Sequence, residues 1–200
     1  MTYNDCVFIN CPFDSKYWPL FNAITFTIYC CGFYPRCSLE EDDSSELRLK
    51  KIYKIIGDCK YSIHDLSRTE LDSQNQLPRF NMPFELGLFY AAKQFGDSFQ
   101  KKKKAIVLDR KRWRYQKFIS DLNGMDPKVH SNNPNKVIKI IRNWLRTSSG
   151  RKILPGDITI VKEYKIFKKK LPSMLKKAGI DKDDLQFNEF CYFIEEYLSI

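Results

Sequence analysis

The sequence predicts an α/β domain built on a doubly wound, five-stranded parallel sheet, followed by a helical appendage. Short apolar runs alternate with longer segments whose apolar residues recur at helical spacing. This alternation is typical of a parallel sheet covered by helices on both faces. After a small polar break at residues 147–150, only helical spacing continues. We therefore predict one domain over residues 1–147 and a helical C-terminal region over residues 151–200.

The first half of the chain has a β-α-β-α-β pattern. The predicted elements are, in order, residues 6–10, 17–31, 33–39, 45–57 and 59–64. Gly32 and Gly57 each follow a helical segment, where glycine commonly ends a helix. Ser45 is the predicted N-cap of the second helix.

The second half continues the alternation and then becomes helical. It predicts a helix at 82–95, a strand at 105–108, a short amphipathic piece at 115–122, a weak fifth strand and a helix at 134–145. Two further helices are predicted at 157–177 and 181–198. Right-handed crossovers favour the flavodoxin-like strand order 2-1-3-4-5, with ligands bound beyond the carboxyl ends of the strands.

The composition limits the classes of protein to which this chain can belong. No run approaches the roughly 20 apolar residues that span a bilayer, so we expect a cytoplasmic protein without a membrane segment. The seven cysteines follow no paired spacing and are expected to be reduced core residues. With only His64 and His130 as histidines, we expect no metal site and no cofactor. The net charge of +10 favours an acidic partner such as a nucleotide.

The candidate site lies where the first and third strands end side by side. Glu85 stands between Phe84 and Leu86 on an otherwise apolar helix that starts at the same edge, where a half-buried carboxylate can have a raised pKa. Arg36 and Arg68 carry guanidinium groups suited to phosphate. Taken singly, each polar residue here is also suited to capping a helix or shaping a turn. The candidate substrate-binding residues are Asn10, Pro12, Phe13, Asp14, Arg36, Ser67, Arg68 and Asn81, and the candidate catalytic residues are Glu85 and Asp65.

Two short motifs carry a family resemblance. Residues 83–92, Pro-Phe-Glu-Leu-Gly-Leu-Phe-Tyr-Ala-Ala, resemble the Glu-Leu-Gly helix of nucleoside 2-deoxyribosyltransferases. Residues 7–10, Val-Phe-Ile-Asn, together with Asp14 resemble the opening strand of Toll/interleukin-1 receptor (TIR) domains. The resemblance implies that Glu85 acts at a ribosyl C1′ carbon and that Asp65 orients the base or ribose. It covers the domain and not the C-terminal helices.

The function implied by this resemblance is an N-glycosidase that cleaves NAD or a related nucleotide. By similarity to bacterial TIR effectors, it would serve antiphage defence and be activated by assembly, as a homo-oligomer or with a partner protein through the C-terminal helices. NAD would be its substrate and not a cofactor, and its neutral nicotinamide would leave without a general acid. A purine or pyrimidine would need a proton, from Asp65 or from His64.

Two other functions stay open on the sequence alone. One is a non-catalytic nucleotide sensor or assembly scaffold of the same fold, which would use the acidic residues 40–43 and the C-terminal helices. The other is nucleic-acid binding through the basic segment from Lys101 to Lys117, with Trp113 and Tyr115 as stacking residues. A solvated basic loop is the ordinary explanation of that segment.

Overall fold

The computed structural model describes residues 1–41, 45–69 and 79–199. Within these ranges five parallel strands form one sheet in the order β2-β1-β3-β4-β5, which confirms the predicted flavodoxin-like order. The strands are β1 (Cys6–Asn10), β2 (Tyr34–Arg36), β3 (Tyr61–Asp65), β4 (Lys104–Asp109) and β5 (Lys128–Val129). Every residue of β1 and β3 is buried, as expected for central strands covered on both faces.

Six α-helices lie in the described ranges. They are α1 (Trp18–Cys30), α2 (Arg48–Asp58), α3 (Asn81–Phe95), α4 (Pro134–Ser149), α5 (Asp157–Ala178) and α6 (Phe187–Leu198). Helices α1 and α4 pack together on one face of the sheet, while α2 and α3 cover the other, as right-handed crossovers require. None of these helices is both long and apolar enough to cross a membrane.

The C-terminal helices pack against the α/β domain. Phe26 of α1 stacks on Phe167 of α5 with ring centroids 5.2 Å apart, and Phe21 of α1 lies 5.7 Å from Phe187 of α6. These aromatic residues belong to the same buried cluster as the sheet residues. The inner faces of α5 and α6 are therefore covered by their own domain.

The start of α2 differs from the predicted one. Ser45 does not cap the helix, because Leu47 occupies the N-cap position with extended backbone and no side-chain hydrogen bond. The helix begins at Arg48 and packs its buried isoleucines, such as Ile52, beneath the sheet. The prediction of a Ser45 cap is wrong because the chain enters the helix only at Arg48, three residues after that serine, with Leu47 as the N-cap.

The strand register aligns the carboxyl ends of the sheet. Asn10 of β1 pairs beside His64, and Asp65 of β3 pairs beside Leu108 of β4. The loops that follow these strands open on one edge, beside the N-terminus of α3, because a helix that follows a parallel strand begins at that edge. This edge holds the candidate site.

Candidate active site

Asn10 ties two strands and a helix together at the floor of the site. Its amide nitrogen donates hydrogen bonds to His64 Nδ1 at 2.9 Å and to the Met82 carbonyl of α3 at 2.8 Å. Because His64 Nδ1 accepts, the neutral ring carries its proton on Nε2 and donates to Ser62 Oγ at 2.8 Å. Burial lowers the pKa of His64 to about 3, so His64 is neutral at physiological pH and is no general acid.

Asp65 is a fully buried carboxylate with two hydrogen-bond donors and a histidine nitrogen beside it. It accepts from the Tyr17 hydroxyl at 2.6 Å and from the Ser67 backbone N–H at 2.8 Å, and His130 Nε2 lies 3.0 Å away. His130 Nδ1 accepts the backbone N–H of Asn132, so the proton of a neutral His130 is on Nε2, facing Asp65. Burial opposes ionisation, but His130, Ser67 and Tyr17 together lower the pKa of Asp65. Asp65 is therefore a fixed negative charge.

The surroundings of Glu85, in the second turn of α3, favour its protonated form, whereas those of Asp65 favour the ionised form. It is only 6% exposed, and no described residue makes a hydrogen bond to its carboxylate. Burial raises its pKa to about 7, with a small opposing effect from Arg48 at the start of α2. Two carboxylates in one site are thus held in different states, Asp65 ionised and Glu85 close to half-protonated at neutral pH.

Cys11 lies near three carboxylates, those of Asp65, Glu85 and Asp14. It directly follows β1 and is buried, and burial raises the pKa of its thiol, as do the negative charges of Asp65, Glu85 and Asp14. The three acids thus lie close enough to act on one thiol although they come from three separate parts of the chain. The raised pKa makes Cys11 a poor nucleophile.

Asp14 forms the rim of the site with two arginines. Its Oδ1 accepts from Arg68 at 2.9 Å, and its Oδ2 lies 3.6 Å from Arg79. Asp14 also accepts the backbone N–H of Tyr17, just before α1. Burial would raise the pKa of Asp14, but Arg68, the Tyr17 N–H and Arg79 together lower it. Both guanidinium groups are partly exposed, at a place where an entering phosphate could contact them.

The remaining predicted residues around the site differ in accessibility. Pro12 is buried, and Phe13 packs edge-on against Phe21 of α1 with ring centroids 5.5 Å apart. Asn81 is exposed at the first position of α3. The Ser67 hydroxyl is buried and has no hydrogen-bond partner in the described part of the chain. Ser67 is therefore the group of this set with unused hydrogen-bonding capacity.

Arg36 lies apart from this cluster. Its guanidinium pairs with Glu40 through short hydrogen bonds of 2.7 and 2.9 Å from Nε and lies 3.8 Å from Asp58. The pairing occupies the face that was predicted to bind phosphate. Of the acidic segment 40–43, Asp42 and Asp43 lie outside the described residues.

The basic segment offers less to nucleic acid than its composition indicates. Lys103 is buried, and its amine donates to the carbonyls of Ile56 and Cys59 at the end of α2. Tyr115 is also buried, so its ring is not open to a base, whereas Trp113 is exposed. One of the two predicted stacking residues is thus part of the core.

Several residues that complete the site were not predicted to take part. His130 follows the weak fifth strand, and its place at the carboxyl edge of the sheet was the only signal for it. Arg114 donates from Nε to buried Asp109 at 2.9 Å and from Nη1 to Thr69 at 3.0 Å, which joins the loops after β3 and β4. Tyr17, just before α1, completes the site because its hydroxyl donates to Asp65.

No group of three or more His, Cys, Asp or Glu residues in the described ranges is arranged to hold a metal ion. Comparisons of the chain with protein-family models, with curated proteins and with solved structures found no match.

Proposed function

We propose that this protein is an N-glycosidase that cleaves the bond between the ribosyl C1′ carbon and the base of NAD or a related nucleotide. The observation that carries the proposal is Glu85, a buried carboxylate whose pKa is raised to about 7 and to which no described residue makes a hydrogen bond. Burying such a group without a partner costs stability. Groups perturbed in this way are concentrated at functional sites.

Cleavage of the C1′–nitrogen bond can be assisted by a single carboxylate. As the C1′–nitrogen bond breaks, positive charge develops on the ribosyl ring, and ionised Glu85 stabilises that charge or attacks C1′ directly. The bonding electrons move to the pyridinium nitrogen, so nicotinamide leaves neutral and needs no proton. Water then adds its oxygen to C1′ and releases a proton. Neutral, buried His64 is not needed in this scheme.

The pKa of Glu85 also suits a cationic substrate. A pyridinium ring placed beside the carboxylate favours its ionised form, so binding of NAD would generate the reactive state. Arg68 and Arg79 at the rim are placed to meet a phosphate, exchanging part of their pairing with Asp14. A nucleotide is therefore favoured over a free nucleoside.

A non-catalytic nucleotide sensor or assembly scaffold is the second candidate. It is favoured by the internal satisfaction of Asn10 and Asp65, whose hydrogen bonds are made within the protein. In that case Glu85 would contact a ligand without a bond being broken. The two candidates differ in one outcome, the release of a base.

Activation by assembly, in an antiphage setting, belongs to the same proposal. Phe80 and Phe84 are each more than half exposed next to Glu85, and contact between copies would cover them. The covered inner faces of α5 and α6 leave only their outer faces for such contacts.

The experiment is incubation of the purified protein, concentrated and with a crowding agent, with NAD and a panel of nucleosides and nucleotides. Released base is followed by chromatography for the wild type, Glu85→Gln and the control Glu196→Gln, which changes an exposed glutamate on α6. We expect base release by the wild type and the control, and none by Glu85→Gln. Ligand binding without any base release would favour the sensor, and release that survives in Glu85→Gln would exclude Glu85 as the catalytic group.

A further inference from the structure

The outer edge of β4 has no neighbouring strand along more than half of its length. The ladder between β4 and β5 covers only Leu108 and Asp109 of β4, because β5 is two residues long. The backbone N–H of Lys104 bonds to Lys60, and the Leu108 carbonyl accepts from Leu66, so alternate residues from Lys104 face β3. Residues between them face outward.

The outward-facing backbone groups belong to Ala105 and Val107. The N–H and C=O of Ala105 and the N–H of Val107 have no hydrogen-bond partner in the described part of the chain. Unpaired groups along a strand edge form a template for another strand. Ala105 is partly exposed, so the edge is reachable.

The open edge lies at the floor of an apolar cleft of about 570 Å³. One wall is Tyr90 of α3, the other is Ile140 and Trp144 of α4, and Met125 and Pro127 close one end. Successive side chains of a strand point to opposite faces. A strand added to β4 would therefore place alternate side chains against the α3 wall and the α4 wall.

The charges around the cleft indicate which kind of partner would bind there. Lys101, Lys102 and Lys104 are exposed near the start of β4, whereas at the other end of the cleft Lys128 is paired with Asp126. A second copy would bring the same lysines against these, at a net charge of +10 for each chain. An acidic segment meets them favourably.

We propose that the β4 edge is a docking site for an extended segment of a partner protein, with alternating apolar residues and with acidic residues at the end that lies beside Lys104. The segment adds a strand to the sheet, with backbone hydrogen bonds supplying affinity and the two walls supplying specificity. This inference does not depend on the chemistry of Glu85.

The test starts from short random peptides displayed on phage and selected against the full chain. The best peptide is then synthesised with a fluorescent label, and its binding is measured by anisotropy. We expect selected sequences with apolar residues at every second position and Asp or Glu concentrated at one end. N-methylation at alternate peptide positions should weaken binding to wild-type protein by about tenfold or more, and methylation at the intervening positions should not.

Two protein variants complete the test. Ala105→Pro removes an outward N–H at an edge position where proline is tolerated, and Lys104→Glu reverses a charge beside the cleft. Each should weaken binding by about tenfold, whereas the control Lys182→Glu, on an exposed loop residue remote in sequence, should not. Failure to select any peptide, indifference to N-methylation, or a wild-type dimer that Ala105→Pro dissociates would overturn the proposal.

Discussion

Glu85→Gln should change how the stability of the protein depends on pH. The folded-state pKa of Glu85 is about 7, above its ordinary value of 4.5. Between those values the unfolded chain has lost the proton that the folded chain retains, so this group lowers stability as pH rises and has no further effect above the folded pKa. Glutamine has the same shape and does not ionise.

The magnitude follows from the two pKa values. Between about pH 5 and about pH 8, wild type should lose about 2.5 kcal/mol of stability that Glu85→Gln retains. All other titrating groups are common to both proteins, so the difference between them isolates Glu85. The assay is urea unfolding followed by circular dichroism at both pH values, with Glu196→Gln as the control. If the stability difference between wild type and Glu85→Gln is the same at both pH values, the raised pKa is refuted.

Two further variants test the architecture around the site, each by urea unfolding near neutral pH. Asp65→Asn should lower the free energy of unfolding by about 1–3 kcal/mol, because the buried donors Tyr17 Oη and Ser67 N–H lose part of their acceptor. The exposed control Asp126→Asn should change it by no more than about 0.5 kcal/mol, and an equally small effect at Asp65 would contradict its role as a buried acceptor. Gly32→Ala should cost about 1–2 kcal/mol or more, because Gly32 has a φ of +72° and an added Cβ would lie 2.7 Å from Arg151 Nη1. A Gly32→Ala protein as stable as wild type would show that this turn rearranges without strain.

The sheet could be predicted because the chain repeats one simple pattern. Strands buried on both faces are short apolar runs such as the one containing Ile63, and the helices between them show one apolar face. Glu85 could be singled out because it interrupts an apolar helix, and its burial follows from that position. Both predictions use local sequence alone.

The contacts of Asp65 and Arg36 could not be predicted in the same way. His130 reaches Asp65 from 65 residues away, and that distance depends on how the loop after β5 packs across β4. Arg36 stands four residues before Glu40, which takes its guanidinium, but the sequence offered other acids nearby and did not select among them. The open edge of β4 depends on the short length of β5, the weakest element in the sequence pattern.

The most direct test of the central claim is the pH dependence of kcat/KM for base release from NAD, or from whichever substrate the panel identifies. We predict that kcat/KM of wild type rises with pH and levels off above about 7, because ionised Glu85 is the reactive form. Glu85→Gln should release no base at any pH, while Glu196→Gln should follow the wild-type curve. Base release by Glu85→Gln at the wild-type rate, with the same pH profile, would contradict the assignment of Glu85 as the catalytic carboxylate.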